Sequence, residues 1–278
     1  MPKTIEQLED ELIKIKASKH YVVYIDVLGI TEKINSKKSN LYLNYLNMIY
    51  QTALDNFKKL YMNTYNVQIF TKIFSDNIVI AIAKEDDIQL NAITKTLIIE
   101  LAAYIQVLAL DYSLLTRGSI VIDDFYIDDI FVYGKALTKA YALENTVAIY
   151  PRIIVAAEDA CDLRESNYIR EYLNKDFDGI YYLDTFSCYF SIKKIYNEDE
   201  IKHIRQLLWT KTSEYNTEKI NQKVYWIINL FNKFCIANNL DKYTLDIDKI
   251  PRLSNYLKEA FENKQNKENI NIKSAIRD

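Results

Sequence analysis

YVVYIDVLGI, residues 21–30, is an almost unbroken run of apolar, β-branched and aromatic residues that ends beside a glycine. Such a run reads as a central strand buried on both faces. Its one residue charged at neutral pH is Asp26. An ionised carboxylate is costly to bury without a partner, so Asp26 is either a hydrogen-bonded strand-end residue or a metal ligand or catalytic acid.

Working outward, LYLNYLNMIYQTALDNFKKLY (41–61) carries Leu43, Leu46, Ile49, Ala53, Phe57 and Leu60 at helical spacing. VQIFTKIFSDNIVIAIAKE (67–85) is two β-rich runs broken by the turn formers Ser75-Asp76-Asn77, a hairpin with Asp76 at or beside its tip. A long helix over 87–115 follows. Its apolar stretch 96–115 carries Glu100, Gln106 and Asp111, which marks a buried helix rather than a membrane span. RGSIVIDDFYIDDIFVYG (117–134) reads as a second hairpin turning within the Asp123–Asp129 run, KALTKAYALENTVA (135–148) as a helix ended by Pro151, and RIIVAA (152–157) as a strand. The core order is βαββαβ, an α+β fold of the ferredoxin-like kind. A helix over 159–173 and a strand pair around Asp178-Gly179 come next.

Three segments result: an N-terminal amphipathic helix (1–19), a main domain (20–190), and a helical extension (191–278) packing through Trp209, Trp226, Ile228 and Phe231 before a polar, frayed tail. The N-terminus is charged throughout, unlike a signal peptide, and a cytoplasmic protein is expected. A net charge of −3 and a pI of about 5.6 give no sign of a nucleic-acid partner. Three scattered cysteines and two histidines exclude a zinc site of those residues, and the cysteines read as buried reduced thiols. Glycine is scarce, only four residues, so each is expected where the backbone demands it.

In a βαββ unit the hairpin lies antiparallel beside the first strand, which can bring Asp76 near Asp26. Two converging carboxylates suit Mg²⁺ or Mn²⁺, which take oxygen ligands and leave positions for substrate phosphates. Two ions held so can activate an attacking oxygen and steady a leaving one.

The segments YIDVLGI, KIFSDNIVIA and RGSIVIDDFYIDDIFVYGKALTKAYALENTVAIYPRIIV resemble the class III nucleotidyl cyclase catalytic domain over roughly residues 20–190. They look closest to the stand-alone bacterial pyrimidine cyclases of the Pycsar antiphage system. The resemblance implies that Asp26, Asp76 and the Val27 carbonyl bind two Mn²⁺ or Mg²⁺ ions per site. It implies that Tyr24 lies beside the base and sugar, that Lys72 reads the base edge, and that the Leu28-Gly29-Ile30 turn touches the phosphates. It further implies a homodimer with sites at the subunit interface, a UTP or CTP substrate (UTP favoured), a 3′,5′-cyclic nucleotide product, and a separate effector protein that reads it.

The family places asparagine and arginine four and eight residues after the glycine at 134, where this chain has Thr138 and Ala142. Lys135, Thr138, Ala142 and Asn145 share one helix face. Lys135, Lys139, Asn145 and Arg152 are the candidates to replace the missing transition-state groups, against readings as surface lysines, a helix C-terminal cap and a strand-edge arginine, with Lys139 and Asn145 the catalytic choices and Thr138 a substrate contact. Arg117 reads as a structural partner of the acidic hairpin, and Asp123, Asp124, Asp128 and Asp129 as its solvated tip. Two other readings stand: a palm-type signalling polymerase, although G-G-D-[DE]-[FD] is absent, and a non-catalytic nucleotide-binding dimerisation module.

Overall fold

Strand β1 (Ser18–Val27) is central because both its edges and both its faces are covered. In the computed structural model, which describes residues 4–5, 16–59, 65, 67–193, 197–214 and 218–249, Tyr21 to Ile25 are all buried. The strand starts within the expected N-terminal helix, at Ser18; residues 6–15 of that helix, and the C-terminal tail, lie outside the described residues. Leu28 and Gly29 form a turn, and a short helix α1 (Ile30–Ile34) follows.

Helix α2 (Ser39–Phe57) buries Leu46, Ile49, Ala53 and Phe57 as its spacing predicts, but Leu43 is exposed and Tyr50 takes a buried place. Leu60 lies outside the described residues. Strands β2 (Ile69–Phe74) and β3 (Asn77–Ala83) form the hairpin, and α3 (Ile88–Asp111) returns across the sheet. Asp87 caps α3, its side chain accepting from the Leu90 amide at 2.8 Å. α3 is long and apolar enough to span a membrane by length and composition, yet 78% of its most apolar window is buried within the protein. It is a core helix.

β4 (Thr116–Ile127) pairs antiparallel with β1 over its length, so β2-β3-β1-β4 is the ferredoxin-like order with every pairing antiparallel. The turn after β4 spans only residues 128–131 before β5 (Val132–Tyr133). Asp123 and Asp124 therefore lie in a strand, not at a tip. Asp128 builds the turn, accepting from the Ile130 and Phe131 amides at 2.7 and 2.9 Å. Helix α4 (Lys135–Thr146) leads to β6 (Ile153–Val155), parallel to β4. The helix expected over 159–173 is two, α5 (Ala157–Leu163) and α6 (Asn167–Tyr172), broken at residues 164–166. β7 (Leu173–Lys175) and β8 (Tyr181–Leu183) extend the sheet, and α7 (Thr185–Lys193) follows.

The period of two divides β1 between two cores. Tyr21, Val23, Ile25 and Val27 pack with α2 and α3, whereas Val22 and Tyr24 pack with Ala136 and Ala140 of α4. Asp26 continues the second set, so it faces the α4 side.

The chain divides into two compact units, Met1–Ile192 and Lys193–Asp278. The second contains α8 (Glu198–Glu214) and α9 (Glu218–Ala237). Trp226, Ile228 and Phe231 are buried there as expected, but Trp209 is 40% exposed. All three cysteines are free; Cys188 and Cys235 are buried, and Cys161 is exposed, against expectation.

Candidate functional site

The hairpin tip is held from beneath. Ser75 takes a positive φ of 57°, costly for a non-glycine residue, and its hydroxyl donates to Asp76 Oδ1 at 2.8 Å. The buried Tyr50 hydroxyl donates to the Asp76 carbonyl at 2.7 Å. Asp76 is thereby fixed, buried, within hydrogen-bonding reach of the Asp26 carboxyl. The structure brings together the two aspartates that the sequence singled out.

Two further groups complete the cluster. Arg117 sits opposite Asp26 in the β1–β4 register, its Nε 3.4 Å from Asp26 Oδ2 and 2.6 Å from Glu144 Oε1. Arg117 therefore pairs with Asp26 and Glu144, not with the acidic hairpin as expected. Burial, the hydrogen bond with Asp76 and the neighbouring charge of Glu144 push the Asp26 carboxyl up to about 7, against the lowering effect of Arg117. Burial also pushes Glu144 up. Three carboxyls with one guanidinium leave an excess of negative charge in a partly desolvated site.

That excess is what a divalent cation would neutralise, and the donor set is all oxygen, which fits Mg²⁺ or Mn²⁺. Among the described residues no group of three or more His, Cys, Asp or Glu is arranged to hold a metal. A cation here would rest on Asp26, Asp76, and backbone, ligand or water oxygens.

Tyr24 is buried, two residues before Asp26 on the same face. Its hydroxyl donates to Asn77 Oδ1 at 2.7 Å, and its ring meets Phe74 and Tyr141 at 6.3 and 5.9 Å. Phe74 and Tyr141 are about half exposed and present the open aromatic surface that Tyr24 does not. Lys72 lies in the same row across the sheet (Lys72↔Val79, Val79↔Tyr24), and its Nζ donates to the Asp129 carbonyl at 2.5 Å. Gly29 has φ +73° and nothing within 4 Å of where a Cβ would stand, so the Leu28-Gly29-Ile30 turn is open on that side.

The α4 residues are placed differently. Lys135, Thr138, Ala142 and Asn145 are exposed, as their spacing predicts. Lys135, Thr138 and Ala142 line a groove of about 700 Å³ with Asp123, Asp124 and Tyr133. Lys139 pairs with Glu158 at 2.7 Å and Asp159 at 3.3 Å. Asp159 also accepts from the Ile122 amide, which lies five strand residues, roughly 17 Å, from Arg117. One chain does not bring Lys139 to its own carboxylate pair. Arg152 is fully buried and clasped by Asp176 and Asp178. It is a structural cation, not a transition-state group.

Glu144, Tyr50, Asn77 and Tyr141 were not singled out by sequence. A signal existed for Glu144. The buried alanines at 136 and 140 define the inward face of α4, and position 144 continues it.

No protein-family model matches the chain, and no curated protein matches it. Among solved structures it is similar to the adenylyl cyclase CyaB from P. aeruginosa, at 18% identity over 60% of this chain and 93% of that one, with a TM-score of 0.41. It is also similar to the guanylyl cyclase Cya2, at 10% identity over 61% and 94%, TM-score 0.40. A third is an adenylate/guanylate cyclase/hydrolase from Silicibacter pomeroyi, at 15% identity over 61% and 96%, TM-score 0.38.

Proposed function

We propose that the protein is a nucleotidyl cyclase that converts a nucleoside triphosphate, UTP in the first place and CTP next, to its 3′,5′-cyclic nucleotide and pyrophosphate. The observation that carries this reading is the convergence of Asp26 and Asp76 at one end of a ferredoxin-like sheet. The resemblance of the motifs around them to class III cyclases supplies the reaction. The ribose 3′-hydroxyl gives up its proton to water as its oxygen forms a bond to the α-phosphorus, the bond from that phosphorus to the bridging oxygen breaks, and pyrophosphate carries the electron pair away. Asp26, Asp76 and the Val27 carbonyl would hold two Mn²⁺ or Mg²⁺ ions, which would supply the positive charge that this transfer needs.

The chain's own residues do the rest. Ser75 and Tyr50 hold Asp76 still, so the carboxylates are arranged before substrate arrives. The open Leu28-Gly29-Ile30 turn admits phosphate oxygens to its backbone. Phe74 and Tyr141 offer the base a stacking surface above Tyr24. Lys72 carries a donor that can exchange the Asp129 carbonyl for a base carbonyl.

In the homodimer of this reading, a second copy supplies the exposed α4 face with Lys135, Thr138 and Asn145. Lys139 flanks that face, and its tie to Glu158 and Asp159 must loosen for it to reach phosphate. The cyclic nucleotide serves as a messenger to a separate effector in phage defence.

The test is incubation with each of the four ribonucleoside triphosphates and Mn²⁺, with products resolved by mass. A cyclic mononucleotide supports the reading. A dinucleotide points to a signalling polymerase. Binding without turnover points to a non-catalytic module.

A further inference from the structure

We propose that Glu144 is a positioning residue that shares Arg117 with Asp26, weakens the guanidinium's hold on the aspartate pair and so leaves the pair able to take a divalent cation. The inference rests on the metal-binding reading of Asp26 and Asp76.

The β1–β4 register places Arg117 directly opposite Asp26. A guanidinium is positively charged at every accessible pH. It therefore occupies, as a fixed cation, the neighbourhood that a divalent ion must enter. Left with Asp26 as its one acidic partner, it would form a charge-assisted pair there and compete with the ion.

The geometry shows Arg117 divided between the two carboxylates, with Nε donating to Asp26 Oδ2 but standing nearer Glu144. Its Nε lies 2.6 Å from Glu144 and 3.4 Å from Asp26. Glu144 is 4% exposed on its side chain, although Tyr141, Ala142 and Asn145 beside it on α4 are exposed. Such burial is unfavourable for a carboxylate unless it is paired. α4 is also pinned one turn earlier, where the buried Ser119 hydroxyl donates to the Ala140 carbonyl at 2.8 Å. Glu144 is thus presented to Arg117 from a helix fixed to the same strand.

The test is calorimetric titration of Mn²⁺ into nucleotide-free protein. Wild type should bind, and Asp26→Asn should not; binding by both, or by neither, overturns the metal reading and this inference together. Glu144→Gln should weaken binding roughly tenfold as Arg117 moves to Asp26. Glu144→Asp keeps the charge but shortens the reach, and should weaken binding several-fold. The pair Arg117→Met/Glu144→Gln removes the competitor and should return binding to near the wild-type value. A pair as weak as Glu144→Gln would make Glu144 a metal ligand and overturn the proposal. Wild-type binding by Glu144→Asp would reduce its role to net charge and also overturn it. Should Glu144→Gln fail to fold, the pair and Glu144→Asp still decide.

Discussion

Asp26 and Arg117 face each other across the β1–β4 ladder, 3.4 Å from Oδ2 to Nε, yet the guanidinium does not hold the aspartate ionised. Burial, Asp76 and Glu144 outweigh it, and Asp26 is pushed up to about 7. The unfolded chain ionises this group near 4. Between about 4 and 7 the folded protein therefore binds more protons than the unfolded one, and stability falls as pH rises across that window. Metal-free protein should lose melting temperature from pH 5 to pH 8. Asp26→Asn should flatten that slope, leaving the share of Glu144, and melt higher at pH 8, by a free energy of at most about 4 kcal/mol. Mn²⁺ at pH 8 should restore the wild type but not the variant. Thermal melts across pH with and without Mn²⁺ read all three effects, and a flat wild-type profile would contradict them.

Arg152 should matter for folding and not for chemistry. Burial alone would raise Asp178, but the Arg152 guanidinium offsets it and leaves the carboxyl below its usual range. That stabilisation is present above the unfolded value near 4 and is lost as pH falls through the folded one. Arg152→Met should destabilise the protein by about 3–5 kcal/mol, because it strands two acidic partners. Arg152→Lys should fold less stably yet still turn over. Loss of turnover with an unchanged melt in Arg152→Lys would return Arg152 to the transition state.

Gly118 is one residue from Arg117, and a Cβ there would stand 2.3 Å from the Tyr24 carbonyl and 3.2 Å from Ile25 Cα. Backbone cannot yield as a side chain can. Gly118→Ala should part β1 from β4 beside the Asp26–Arg117 pair and cost about 2–3 kcal/mol. Chemical denaturation measures this, and an unchanged midpoint would contradict the close approach.

Lys72 should select the base without touching the metal. Lys72→Ala removes the donor now given to the Asp129 carbonyl. Mn²⁺ affinity should stay at the wild-type value while the preference among UTP, CTP and ATP narrows by roughly tenfold, the worth of one charged hydrogen bond. Competition between the triphosphates in one reaction, with products counted by mass, checks it.

What the sequence disclosed and what it hid have physical causes. Runs such as 21–27 and 77–83 are long, apolar and β-branched, so strand identity and the βαββαβ order were legible. Asp26 and Asp76 stood out because each interrupts such a run. The extent of β4 was hidden, because Asp123 and Asp124 look like turn formers; in the fold Lys19 draws them into the ladder, its Nζ lying 2.8 Å from Asp123 and 3.1 Å from Asp124. The break between α5 and α6 was also hidden, since residues 159–173 carry neither glycine nor proline. Arg117 was misread because strand register, which sets its partner, is a long-range property. Glu144 was missed because a glutamate in a short helix looks solvated until the opposing arginine is placed. The three-carboxyl cluster around one guanidinium is tertiary information.

The most direct measurement is product formation from UTP and Mn²⁺ by wild type, Asp26→Asn and Asp76→Asn, with each variant shown folded by its melt. The account predicts a 3′,5′-cyclic nucleotide and pyrophosphate in equal amounts from wild type, and a loss of about a thousandfold or more from either variant. Cyclic product from Asp76→Asn at the wild-type rate, or none from wild type with any of the four triphosphates, would contradict it.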